Sequence, residues 1–227
     1  MKRQIVASQV NLLFGETTGY VVQPLEPADI YHLLYTKHYA KRVPSISYAY
    51  GLFLDGNLVG AVTYGTPASS TLCRGVCGDE WQSNVLELNR LVLENNTKNE
   101  ASRLVGASLR MLPSPKVIVS YADTAQSHTG TVYQATNFLY TGMSSKFKDP
   151  RVRGLEHQHH ATYAHGLTNK QVVEKFGEEN VYFVERSPKH RYITFVGDKR
   201  QKKAMMKALR YPVHPYPKAN TDGSSDL

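Results

Sequence analysis

Asp123 follows the apolar run Val117-Ile118-Val119-Ser120-Tyr121, which has the composition of a strand buried on both faces. A carboxylate at the carboxyl end of such a strand stands where open α/β sheets bind ligands. It can act there as a base or a hydrogen-bond acceptor, and it can equally cap the next turn. Arg90 alternates with Leu86, Leu88 and Val92, which puts its guanidinium on an otherwise apolar face. A buried guanidinium needs an anion, either a neighbouring carboxylate such as Glu87, Glu94 or Asp123, or a group on a ligand. Tyr121 and Tyr133 carry hydroxyls that can donate to a developing oxyanion or simply satisfy a core hydrogen bond. His38-Tyr39 follows the first helix, where a lone histidine is more often structural than catalytic. Cys73 and Cys77 have three residues between them, and His157, His159, His160 and His165 lie about eighty residues further on. A zinc site built from both would draw its ligands from two distant loops, so no metal ligands are assigned.

The elements that must position these groups follow from local pattern. Val21 to Leu25 reads as a strand, with a helix from Glu26-Pro27-Ala28-Asp29 to Tyr35. Tyr48 to Leu54 and Leu58 to Tyr64 form a hairpin around Asp55-Gly56-Asn57. Tyr48, Tyr50 and Tyr64 on it are either core or a stacking platform for an extruded base. Residues 65 to 84 read as a long loop. Val85 to Leu93 is a strand, and Thr97-Lys98-Asn99-Glu100 has the spacing of a capping box for a helix that Pro113 ends. After the buried strand come a helix from about Thr129 to Asn137 and a strand from Phe138 to Gly142. Residues 143 to 167 read as a polar connection, and Thr168 caps a helix closed by Gly177. Val181 to Glu185 and Arg191 to Val196 read as a hairpin, followed by a basic helix Lys199 to Arg210 and a Pro-rich arm from Tyr211. Strand-helix-strand order implies a parallel crossover and the hairpin makes the sheet mixed, an α/β (α+β) fold.

Of 227 residues, 41% are apolar and 20% charged, a globular composition that excludes disorder and fibres. No stretch approaches the ~18 apolar residues of a membrane span, and the N-terminus lacks a signal-peptide core, so a soluble cytoplasmic protein is expected. The net charge of +8 is segregated. Ten of the 27 basic residues but one acid, Asp198, lie between Arg186 and Lys218, leaving 17 basic and 18 acidic residues elsewhere. Such a module is the footprint of a polyanion contact, or else a solvated helix that aids solubility. The division expected is a catalytic body over 1–180, a basic hairpin-helix extension of the same domain over 181–218, and a disordered tail over 219–227.

Five blocks resemble, in order, the phage Mom family: Val85 to Leu93, Lys98 to Ser102, Val119-Ser120-Tyr121-Ala122-Asp123, Val132 to Asn137, and Lys189-His190-Arg191-Tyr192. The match spans roughly residues 30 to 218. It implies a GNAT-like acyltransferase fold and conversion of DNA adenine to N6-carbamoylmethyladenine, which shields phage DNA from host restriction. On that resemblance Asp123 serves as base, Tyr133 and Arg90 stabilise charge, Tyr121 is a further donor, and His38-Tyr39 positions the acceptor. Asn99, Ser102 and Ser120 fall in the matched blocks on the donor side. Iron has been discussed for the family, but no facial triad is visible. Coenzyme-A-dependent GNAT enzymes hold the pyrophosphate on glycine-rich backbone at a helix start. Here that junction is Glu94 to Glu100, without glycine and with its own acid.

The donor candidates are therefore glycyl-tRNA and acetyl-CoA. Double-stranded DNA is the expected substrate, held by Lys189, His190, Arg191, Lys199, Arg200, Lys202, Lys203 and Arg210, with membership of the active site the alternative for His190. Two competing readings are an acetyltransferase acting on a protein or small amine, and a non-catalytic nucleic-acid-binding protein.

Overall fold

The computed structural model describes residues 19–37, 43–145, 147–158, 160–164 and 166–218. His38-Tyr39 and the tail 219–227 lie outside the described residues. A mixed sheet of seven strands is flanked by helices on both faces, in the order β1-β2-β3-β4-β5-β9-β6. Its strands are β1 (Tyr20–Pro24), β2 (Tyr48–Leu54), β3 (Asn57–Gly65), β4 (Val85–Leu93), β5 (Lys116–Asp123), β6 (Leu139–Met143) and β9 (Lys189–Val196). Strands β2 and β3 turn on Asp55 and Gly56, both at positive φ, the two-residue geometry that matches strand twist. Strands β4 and β5 run parallel, joined by α3 (Glu100–Met111), and the remaining pairs are antiparallel.

One face of the sheet packs on α3, where Leu104 and Val105 meet Val62, Tyr64, Leu88 and Ile118. The other face packs on α2 (Ser70–Cys77) and α7 (Lys199–Ala208), where Val76, Cys77 and Met205 meet Val85, Val117 and Ile193. Further along that sheet, α1 (Tyr31–Thr36) buries Leu33 and Leu34 against Ala49, Ala61 and Val92. Tyr50 and Tyr64 are core residues rather than a stacking platform, and Tyr64 shares a hydrogen bond with Ser108 at 2.6 Å.

Four sequence expectations change. Helix α2, capped by Ser69, occupies the supposed loop 65–84, because Cys73, Val76 and Cys77 form an apolar i, i+3, i+4 stripe that is easily missed when cysteine is read as chemistry. Strands β8 (Val181–Glu185) and β9 do not form a hairpin. Strand β8 pairs with β7 (Lys148–Val152), which lies in the supposed connection 143–167 together with α5 (His160–Ala164). With α6 (Asn169–Phe176), which Thr168 caps through a capping box, these elements make an insertion with its own small core of Val152, Tyr163 and Val172. Strand β9 enters the main sheet between β5 and β6, so a boundary at residue 180 would cut through the body.

The basic helix also packs. Met205 is fully buried, and the Arg210 N–H donates to the Val76 carbonyl (2.9 Å). The Pro-rich arm lies along β6: the His214 N–H donates to the Tyr140 carbonyl (2.9 Å) and the Tyr216 hydroxyl to the Phe138 carbonyl (2.8 Å). It covers what would otherwise be an open sheet edge.

Candidate active site

Strands β4 and β5 share backbone register from Val85–Val117 to Leu88–Ser120 and then part. Beyond that point β4 stays with β3 as far as Leu93, and β5 stays with β9 as far as Asp123 and Lys189. Each strand follows its own antiparallel partner, and a cleft of about 730 Å³ opens between their carboxyl ends. Arg90 of β4, Tyr121 and Asp123 of β5, and Tyr133 all line it, so side chains from separate elements are brought to one cavity. Ser120 is not exposed to it: its buried hydroxyl donates to the Leu88 carbonyl (3.1 Å) and ties the strands at the point of divergence.

A β-bulge corrects the expected facing of Arg90. Thr63 pairs with Arg90 and Tyr64 with Leu88, which leaves Asn89 as an extra residue on β4. Parity flips there: Leu91 and Leu93 rejoin the face of Leu86 and Leu88, while Val92 turns to the α1 side. Asn89 is held by the Thr63 hydroxyl (2.6 Å) and by the Ser45 carbonyl, to which its amide donates (2.8 Å). The Arg90 Nη1 donates to the Asn89 carbonyl (2.6 Å).

Asp123 is the junction of the site. Its Oδ1 accepts from the Ser187 hydroxyl (2.6 Å) and the Ala125 N–H (3.0 Å), and Lys189 Nζ lies 3.0 Å from Oδ2. Burial raises the carboxyl pKa, but the bonds from Ser187, Lys189 and Ala125 outweigh it and hold Asp123 below the usual carboxylate value. It is ionised at neutral pH, with donors on both oxygens, and this makes it a weak base. Both ends of the insertion are pinned beside it. The Thr124 hydroxyl donates to the Pro188 carbonyl (2.7 Å), and the Ser144 N–H to the Lys189 carbonyl (2.8 Å).

Tyr121 is pushed well above the ordinary tyrosine pKa by burial, so its hydroxyl stays a proton donor. The Tyr133 ring packs between Phe138 and Tyr192, with both centroids 5.3 Å away. Gly130, at positive φ before α4 (Thr131–Ala135), allows this approach, since a Cβ there would sit 2.3 Å from the Tyr192 ring. Sequence reasoning missed Lys189 as a cleft residue, Ser187, Asn89, and the loop carrying Ser127 and His128. No local pattern marks them, because the register of β9 on β5 and the bulge are set across the sheet.

The donor-side residues Asn99 and Ser102 line a different cavity. Helix α3 starts at Glu100, not at Lys98, with Asn99 left-handed before it. The expected back-bond is present, since the Thr97 N–H donates to Glu100 Oε2 (2.9 Å). Glu100 is buried and also accepts from the Tyr20 hydroxyl (2.8 Å). A carboxylate thus takes an amide at the helix start, and the junction does not fit a pyrophosphate cradled on backbone N–H groups.

Among the described residues no group of three or more His, Cys, Asp or Glu side chains could hold a metal ion, and His38, His159 and His165 lie outside them. Cys73 and Cys77 are core, with the Cys77 thiol pushed up to about 11 by burial.

The eight residues expected to bind nucleic acid divide in two. Lys189 is paired with Asp123, and His190 shares a hydrogen bond with Tyr140 at 3.0 Å. Arg191 donates to the Thr141 hydroxyl (3.0 Å) and carbonyl (2.8 Å) and stacks 3.4 Å over the Tyr211 ring. These three build the body. Lys199, Arg200, Lys202, Lys203 and Arg210 are exposed.

Residues 19–218 match the model of the Mom protein family. Methylcarbamoylase Mom of Escherichia phage Mu is 28% identical over 201 residues, covering 82% of this chain and 78% of the relative. Among solved structures, a Bacillus subtilis acetyltransferase in complex with CoA is 12% identical with a TM-score of 0.42, over 80% of this chain and 100% of that one. The ribosomal-protein-S18-alanine N-acetyltransferase from Escherichia coli is 7% identical with a TM-score of 0.43, over 79% and 95%. The family match runs through β4, α3, β5 and β9, the elements that build the cleft, and the chain belongs to the Mom protein family.

Proposed function

We propose that this protein is a transferase that converts adenine in phage DNA to N6-carbamoylmethyladenine and so protects the DNA from restriction. The observation that carries the reading is the Asp123–Lys189 pair at the mouth of the diverging strands, in a cleft it shares with Arg90 and Tyr133, in a member of the Mom family. The adenine amine is a poor nucleophile because its lone pair is delocalised into the ring, so the site must stabilise charge and orient N6.

Asp123 acts as a fixed anion that holds Lys189 and accepts from N6–H, a role that suits its lowered pKa better than that of base. Arg90 and Lys189 stabilise the oxyanion of the acyl donor, with the Tyr133 or Tyr121 hydroxyl donating to it. His38-Tyr39 positions the acceptor. The exposed cations of α7 contact duplex phosphates.

The donor that best matches the product is glycyl-tRNA, with acetyl-CoA the alternative. N6 attacks the ester carbonyl and releases the tRNA 3′ hydroxyl, leaving N6-glycyl adenine. The glycyl amine then attacks C6 through a five-membered ring, the C6–N6 bond breaks, and N6 leaves as the amide nitrogen of a glycinamide attached to C6. Acetyl transfer alone would instead leave a carbonyl, not a methylene, on the adenine nitrogen.

Nucleoside mass spectrometry of DNA from cells expressing the chain tests the activity. Carbamoylmethyladenine with the wild type and its loss in Asp123→Asn are expected, and unmodified adenine with the wild type overturns the reading. Full activity of the purified protein on acetyl-CoA without RNA would remove glycyl-tRNA.

A further inference from the structure

A second cavity, a groove of about 970 Å³, runs along α3 and is bordered by α4, the end of β9 and α7. It shares no lining residue with the cleft, yet α3 and α4 contribute to both: Ala101 and Tyr133 to the cleft, Ser102 and Ala135 to the groove. Its charge is of one sign. Arg103, Arg110 and Lys202 line it, and no acidic residue does. Its apolar lining includes Leu109, Phe195 and Met206, and its neutral polar lining includes the Asn137 amide and the hydroxyls of Thr194, Ser102 and Thr136, the last two donating to the Asn99 and Val132 carbonyls and so presenting acceptor oxygens.

We propose that this groove binds the unpaired strand that leads to the acylated 3′ end of an RNA, whose last nucleotide reaches the cleft. The proposal deepens, and rests on, the reading of an aminoacyl-tRNA as acyl donor. A lining with three cations and no acid is complementary to a polyanion. Arg103 and Arg110 are seven residues apart on one side of α3, about 10 Å along its axis, which suits the repeated phosphates of a strand better than one compact diphosphate. The apolar lining distinguishes single strand from duplex. A duplex offers phosphates outward and gains nothing from Leu109 or Phe195, whereas an unpaired base can stack on Phe195 and bury apolar surface against Leu109. Side-chain hydroxyls and amides are the groups that meet a ribose 2′-hydroxyl, which favours RNA over DNA. The groove therefore holds the donor strand while α7's outer face meets the DNA.

The test uses the full chain and fluorescence anisotropy with three labelled probes: a 12-nucleotide RNA ending in CCA, a DNA strand of the same sequence, and a DNA duplex. The wild type is expected to prefer the RNA strand. Arg103→Gln with Arg110→Gln should weaken RNA binding at least tenfold and lower its salt slope by about 1.4, two contacts at ~0.7 each. Duplex affinity should stay within twofold. Arg103→Lys with Arg110→Lys should restore most RNA binding, which a folding defect would not allow. Equal losses on RNA and duplex, no preference for RNA over the DNA strand, or displacement of the RNA by coenzyme A would each overturn the proposal. Nucleoside analysis separates the two readings: unmodified DNA from the wild type with RNA binding that still depends on Arg103 and Arg110 sinks the activity and leaves the groove standing.

Discussion

The cleft and the outer face of α7 are both charged, but they handle charge in opposite ways. In the cleft Asp123 is 13% exposed and locked to Lys189, Ser187 and Ala125, so each charge is oriented by the others. On α7, Lys199, Arg200, Lys203 and Lys207 are exposed, and among the described residues no ion pair involves them. A paired, half-buried charge serves position, whereas a solvated one serves reach and on-rate. The helix that carries the solvated charges is itself anchored by the fully buried Met205.

The contrast can be broken from either side. Asp123→Asn should lower modification by about a hundred- to a thousand-fold, the scale of losing one preorganised electrostatic group, read as turnover on duplex DNA, with affinity for the duplex within twofold. Met205→Ala should cost about 2–5 kcal/mol in denaturant unfolding, which would confirm that α7 belongs to the body. For that reason deletion of residues 199–227 damages the core and does not isolate binding.

Lys189→Met removes a donor that lowers the Asp123 pKa, so the acid limb of the kcat/KM profile should move to higher pH. The sign follows from the lowered carboxyl: without the Lys189 ammonium its folded-state value rises toward the ordinary one, so the ionised form that the site uses is lost at a higher pH. Lys199→Gln with Lys203→Gln should leave kcat unchanged and reduce the salt slope of duplex binding by about 0.9 for each lost phosphate contact. The smallest effect concerns His190, whose pKa burial lowers. Stability it supports is present above about pH 6.5 and lost as pH falls through its folded value, and a thermal-melt series against pH on His190→Asn should flatten that dependence.

Much of the fold was legible because its signals are local. The Asp55-Gly56 turn, the apolar run before Asp123, the capping box at Thr168 and the basic composition of α7 each depend on a few adjacent residues. Arg90, Tyr121, Asp123 and Tyr133 were legible as candidates for the same reason. The facing of Arg90 was not, since a bulge flips parity and nothing between Leu88 and Leu91 announces it. The β8–β9 hairpin was misread because two strands separated by Ser187-Pro188 can pair with each other or with distant partners, and here each finds a distant one.

The sequence by itself determined which residues can carry charge, which segments are apolar enough to be buried, and that one stretch of the chain is basic. Only the tertiary structure decided that β9 lies between β5 and β6, that Lys189 therefore stands opposite Asp123, and that β4 and β5 part to make a cleft. Strand order and register are set by the burial of whole faces against α3, α2 and α7, a sum over many residues that no local window contains.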